Sequence, residues 1–136
     1  MGRIMAIDYG GKRCGIAITD ESQIIASGLT TIDTKDILSW LKDYVSKEEV
    51  ELFVVGEPKR LHGEPSESEK LIKPFLEKLN KLIPEIPVKR LDERFTSKMA
   101  FDTMIASGIS KKKRRDKALV DQISATIILQ DYLYNK

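Results

Sequence analysis

A chain of 136 residues and 15.4 kDa, 41% hydrophobic and 32% charged, has the length to bury one core but not two lobes. Its 23 basic and 21 acidic residues leave a formal net charge of +2, which names no partner, and no apolar run approaches the roughly 18 residues of a membrane span. A lone cysteine, Cys14, excludes a disulfide within the chain, and a short N-terminal apolar stretch interrupted by Asp8 does not read as a signal peptide. The expectation is one domain over residues 1–136, with no membrane partner, in a reducing cytoplasm.

Three short strands are expected first: Arg3 to Tyr9, Cys14 to Thr19 and Ile24 to Thr31. Their connections, "GGK" and "DESQ", are short and polar or glycine-rich, the pattern of an antiparallel meander. In "DTKDILSWLKDYVSKEE" the residues Ile37, Leu38, Leu41, Tyr44 and Val45 recur at helical spacing, with Asp33 or Thr34 able to cap. "ELFVVG" then has the unbroken apolar character of a central parallel strand.

"EPKRLHGEPS" reads as a loop, and the apolar positions from Leu71 to Ile83 make a second amphipathic helix in which Pro74 either kinks the helix or marks its start. "VKRLDE" is a fifth strand. Two closing helices follow, one from Ser97 to Ser107 stopped by Gly108, the other from Lys117 to Tyr134. The order βββαβαβαα predicts an α/β fold with a mixed five-stranded sheet, three antiparallel strands followed by alternating helices and strands, and helices on both faces.

In open sheets of this kind ligands collect at strand carboxyl ends, and Asp8, Glu57 and Glu93 fall at the ends of the first, fourth and fifth predicted strands. A carboxylate there is hydrogen-bonded locally, paired with a cation or bound to a metal, because burying it alone is costly. Asp8 precedes Gly10 and Gly11, which would give a ligand clearance, although an Asp accepting turn hydrogen bonds is the plainer alternative. Glu93 in "LDERFTS" stands beside Arg94, where a surface ion pair is the alternative. Asp121 interrupts the apolar stretch "KALVDQISATIILQ", one turn from Ala118, Ser124 and Ala125. A face of small residues lets that helix sit close to the sheet with a carboxylate pointing at it.

Three converging carboxylates, Asp8, Glu93 and Asp121, without a cysteine or histidine cluster, favour Mg²⁺ or Mn²⁺ over zinc; the sole histidine, His62, falls in the predicted loop. Two such ions are the arrangement that hydrolyses phosphodiesters. Basic pairs accompany the acids: Lys12 and Arg13, Lys59 and Arg60, Lys89 and Arg90. The run "KKKRRDK" adds Lys111, Lys112, Lys113, Arg114 and Arg115, expected to track the phosphates of a nucleic acid, with a solvated surface as the alternative.

The segments "DYGGKRCGIA" (Asp8 to Ala17), "GEP" followed by Gly63, "DERFTS" (Asp92 to Ser97) and "DQISATIILQDYL" (Asp121 to Leu133) resemble, in order and spacing, the YqgF-like family. Its members are described as Holliday-junction-resolvase-like nucleases and as nucleases of pre-16S rRNA. The resemblance covers essentially the whole chain and implies an RNase H-like fold, with catalytic and metal-ligating acids at Asp8, Glu93 and Asp121 and substrate-binding basic positions at Lys12, Arg13 and Arg94. Glu57 departs from the family, where an apolar residue is common between Gly and Pro, and is expected to be a surface change rather than a further ligand.

The resemblance implies trimming of the 5′ end of a 16S rRNA precursor during ribosome biogenesis. Resolution of four-way DNA junctions in recombination and repair is the alternative within the same chemistry. A junction resolvase cuts two strands symmetrically and is expected to be a homodimer; an RNA trimmer can work as a monomer. A module that binds nucleic acid without cleaving it gains nothing from three acids facing a phosphate backbone. An actin-like or sugar-kinase ATPase, which starts with a similar turn, needs two lobes.

Overall fold

The computed structural model describes residues 2–57, 69–92 and 117–135. Five strands, β1 (Arg3–Tyr9), β2 (Arg13–Thr19), β3 (Ala26–Asp33), β4 (Val50–Glu57) and β5 (Val88–Asp92), form one sheet in the order β3-β2-β1-β4-β5. β1, β2 and β3 pair antiparallel, whereas β1 with β4 and β4 with β5 pair parallel, so the sheet is mixed. Three helices are described: α1 (Ile37–Lys47), α2 (Glu69–Leu82) and α3 (Lys117–Asn135). None of them is long and apolar enough to cross a membrane.

Alternation along the strands sorts side chains onto two faces. Met5 and Ile7 of β1, Cys14, Ile16 and Ile18 of β2, and Phe53 and Val55 of β4 pack with Ile37 and Leu41 of α1 and Ile72, Phe75 and Leu79 of α2. The intervening residues, Ile4, Ala6, Ala17, Leu52 and Val54, pack with Ala125, Ile128 and Leu129 of α3. The predicted helices on both faces are therefore observed. Each fully buried Ile, Leu or Phe contributes on the order of 1.5–3 kcal/mol, and both faces carry such residues, Phe53 and Leu79 on one and Ile128 on the other.

Several boundaries differ from the sequence expectation or decide between its alternatives. β3 begins at Ala26 rather than Ile24, because the Asp20 carboxylate accepts the amides of Ile24 and Ile25 at 2.8 and 2.9 Å and Gln23 adopts a φ of 59°. Those bonds keep both isoleucines in the turn, 73% and 64% exposed. Pro74 lies inside α2 and does not mark its start; Ile72, 1% exposed, anchors the turn before it. Neither Asp33 nor Asp36 caps with its side chain, and a 3-10 turn at Thr34–Asp36 leads into α1 instead. The helix expected from Ser97 to Ser107 lies outside the described residues.

The closest approach between layers is α3 on β2. A Cβ added at Gly15 would overlap the backbone carbonyl of Asp121 and lie 3.1 Å from its Cβ, so only glycine lets α3 settle there. Gly11 is open by comparison, with Leu71 Cδ1 at 3.5 Å as the nearest atom. Gly15→Ala is expected to lower stability by about 2 kcal/mol or more in denaturant titrations, because helix and strand must separate. Gly11→Ala should stay within about 0.5 kcal/mol of wild type. Equal stability of the two variants would show that α3 is not seated on Gly15.

Candidate functional site

Asp8 belongs by alternation to the face of β1 that carries Ile4 and Ala6, the face covered by α3. Antiparallel register sets it opposite Gly15 of β2, and Gly15 is where the backbone of Asp121 rests. Ser124 and Ala125, one turn further along α3, are buried against the same surface. Ser124 and Ala125 of the small-residue face read from the sequence are therefore used as expected, with Gly15 as the complement of α3 on the sheet; the side chain of Ala118 lies outside the described residues. Gly10 has another use: a Cβ there would lie 2.5 Å from the Arg13 carbonyl oxygen, so this glycine closes the β1–β2 turn rather than giving a ligand clearance.

Arg13 shares its face of β2 with Gly15 and reaches Asp121, its Nε donating to Oδ2 at 2.6 Å. The pair is three-quarters covered, the side chains being 29% and 24% exposed. Asp8 has no such help. Among the described residues no hydrogen bond or ion pair reaches its half-buried carboxylate. Burial foremost, and the negative charge of Asp121 second, push its pKa from 3.8 up to about 7. Among the described residues, Asp121 thus has a cation beside it and Asp8 has none.

The turn joining these residues is pinned by Thr34, whose hydroxyl donates to the Gly10 carbonyl at 2.6 Å and whose amide donates to the Lys12 carbonyl at 3.0 Å. The buried Cys14 thiol lies 3.5 Å from the same hydroxyl, and burial raises its pKa, so it packs as a thiol. In the sequence Thr34 is one of two possible helix caps, with Asp33; no local pattern distinguishes that role from a tie to a turn 24 residues away. Arg90 was likewise read only as part of a basic pair. Its guanidinium donates to the carbonyls of Val55 and Gly56 at 3.3 and 2.9 Å, holding the carboxyl end of β4. Lys89, its neighbour, lies 5.8 Å from the ring centre of Tyr132 on α3.

Of the residues singled out in the sequence, Asp8, Arg13 and Asp121 are brought together, and Lys12 stands exposed on the adjoining turn. Glu93, Arg94, Lys111, Lys112, Lys113, Arg114, Arg115 and His62 lie outside the described residues, as does the side chain of Glu57, whose backbone pairs with Asp92. Among the described residues no group of three acids, histidines or cysteines forms a metal site. Two adjacent carboxylates, one of them half-buried and without a partner among the described residues, nevertheless fit a hard divalent cation, which takes oxygen donors.

Comparison with known proteins places this geometry. A model of the family described as "RuvX: Holliday junction resolvase" matches residues 2–135. A Flavobacterium psychrophilum protein named "Putative pre-16S rRNA nuclease" is 60% identical over 136 residues, covering 100% of this chain and 99% of that one. A Porphyromonas gingivalis protein of the same name is 58% identical over 135 residues, covering 99% and 98% of the two chains. In fold, the chain is similar to T. thermophilus RuvC in complex with Holliday junction substrate, with a TM-score of 0.59 and 16% identity over 99% of this chain and 95% of that one. The likeness bears out an RNase H-like arrangement of the mixed sheet and its helices. The resemblance read from the four motifs is borne out as well: the chain belongs to the RuvX family of Holliday junction resolvases.

Proposed function

We propose that this protein is a divalent-cation-dependent nuclease of the cytoplasm, one domain over residues 1–136, that hydrolyses phosphodiester bonds in processing the 5′ end of pre-16S rRNA. The observation that carries the reading is the Asp8–Asp121 pair at the carboxyl end of β1, with Asp8 half-buried, unpaired among the described residues and its pKa raised to about 7. A structural acid in that position would be destabilising for no return, and titratable groups perturbed in this way concentrate at functional sites. The name carried by relatives at 54–60% identity supports rRNA as the substrate.

Asp8 and Asp121 would hold the cation, Mg²⁺ or Mn²⁺, with Glu93 as third ligand; β5, which leads into Glu93, runs parallel to β4 and β4 to β1, so all three strands end at one edge. When bound, two such ions lower the pKa of water and stabilise the leaving oxygen. The chain's own residues orient the acids and bind the substrate backbone. Arg13 fixes the Asp121 carboxylate, and the Thr34 ties hold the turn that carries Lys12. Lys12, Arg94 and the run Lys111 to Arg115 supply positive charge for phosphates.

A second reading, resolution of four-way DNA junctions, is favoured by the family description and the fold of RuvC. It calls for a homodimer, whereas the trimming of one RNA end is compatible with a monomer. Labelled pre-16S rRNA fragments and four-way junctions, incubated side by side with Mg²⁺, separate the two: the substrate cut by wild type and spared by Asp8→Asn is the one the site acts on.

Asp8→Asn, Glu93→Gln and Asp121→Asn, made singly, should each lower Mg²⁺-dependent cleavage by about two orders of magnitude or more, with nucleic-acid binding retained. Undiminished cleavage in any one removes that residue from the mechanism. Replacing Lys111, Lys112, Lys113, Arg114 and Arg115 together by neutral residues should weaken binding to every nucleic acid and flatten its salt dependence. A change in turnover alone would take them off the phosphate track.

Asp8 also predicts a pH dependence of stability. Its folded-state pKa of about 7 exceeds the value of 3.8, so its stabilising contribution is full below about pH 4 and is lost as pH rises through 7. Without divalent cation, Asp8→Asn should therefore be more stable than wild type at pH 8, by on the order of 2 kcal/mol, and no more stable at pH 4. Mg²⁺ should raise the wild-type denaturation midpoint at pH 8 and leave that of the variant unmoved. A wild type as stable as the variant at pH 8 without cation would contradict the burial of an ionised Asp8.

A further inference from the structure

Arg13 stands among the acids of the candidate site yet engages only one of them. Its Nε donates to Asp121 Oδ2 at 2.6 Å, while Asp8, opposite Gly15 two residues further along β2, has no counter-charge among the described residues. The backbone of Arg13 has little freedom to choose otherwise: it pairs with Asp33 of β3, and the preceding carbonyl of Lys12 is held by the Thr34 amide at 3.0 Å. Once Asp8 is ionised, the cluster of Asp8, Arg13 and Asp121 carries two negative charges and one positive charge.

We infer that Arg13 is a positioning residue that serves as resident counter-charge to Asp121 and is in competition with the divalent cation for that carboxylate. This rests on reading the Asp8–Asp121 pair as a cation site. The guanidinium engages Asp121 while the site is empty of cation, and so keeps two adjacent acids from repelling each other unchecked. The same positive charge opposes an arriving cation, because like charges a few Å apart in a partly buried site interact strongly. A bound cation would compete with Arg13 for Oδ2, and the guanidinium so released would have its parallel N–H donors free for a substrate phosphate. Arg13 therefore weakens cation affinity in exchange for an ordered Asp121 and for a phosphate donor that becomes available only when the cation arrives.

The test is Mn²⁺ binding at pH 8 by calorimetry, on the full chain, for wild type and Arg13→Gln. The variant should bind Mn²⁺ about five- to twentyfold more tightly while cleaving more slowly, a combination that a purely structural ion pair would not produce. Unchanged or weaker Mn²⁺ affinity in a folded Arg13→Gln overturns the inference. A second measurement needs no variant. The Arg13 Nε–H resonance of wild type, assigned by its loss in Arg13→Lys, should shift progressively as Mg²⁺ is added; a resonance that stays put at saturating Mg²⁺ means the pair is undisturbed and overturns the proposal. Wild type that takes up no Mn²⁺, or takes it up equally well as Asp8→Asn, overturns the cation-site reading itself, and the role of Arg13 falls with it.

Discussion

The contact between the backbone of α3 and Gly15 of β2 is the constraint on which the site depends. Helices ordinarily stand off a sheet by the thickness of the side chains between them. Here a residue without a side chain, met by Asp121 itself and by the small residues Ser124 and Ala125, removes that thickness at one point. The result is a carboxylate from the last helix of the chain within electrostatic range of one from the first strand, 113 positions earlier in sequence (121 − 8). Replacing clearance by bulk at Gly15 would move Asp121 away from both Asp8 and Arg13, so packing and chemistry share one cause.

The same juxtaposition makes the fold carry an electrostatic cost. Ile4, Ala6 and Asp8 lie in one row of β1, two of them buried in the core beneath α3. Continuing that row with an acid breaks the apolar pattern at the position where the sheet meets the solvent edge. Proteins tolerate such a break where function requires it and offset it elsewhere. The offset here is visible on both faces: the row beneath α3 is closed by Ile128 and Leu129, and the opposite face is sealed by Phe53, Leu79 and Ile72. Stability comes from those layers, and Asp8 draws on it.

The basic residues show why adjacency in sequence says little about partners. Lys12 and Arg13 are consecutive, yet one is exposed on a turn and the other is folded onto Asp121. Lys89 and Arg90 are consecutive in β5, yet one approaches Tyr132 of α3 and the other binds the carbonyls that end β4. Successive residues of a strand point to opposite faces, so a basic pair is divided between two environments as soon as it enters a sheet.

Periodicity was enough to read the order of the described elements, the antiparallel meander, the parallel β4 and the helices on either face, because apolar spacing reports directly which face is buried. The resemblance carried by four motifs led to the family, and the acids Asp8 and Asp121 stood out because each interrupts an apolar run. Other features had no local signal. The start of β3 depended on Asp20 capturing the amides of Ile24 and Ile25, the role of Thr34 on a turn 24 residues distant, and that of Gly15 on a helix more than a hundred residues away. The sequence by itself determined which residues had to be buried and which acids were out of place among them. Tertiary structure decided that, among the described residues, Asp121 and not Asp8 meets a cation, because ion pairing depends on distances of a few Å that chain separation does not encode.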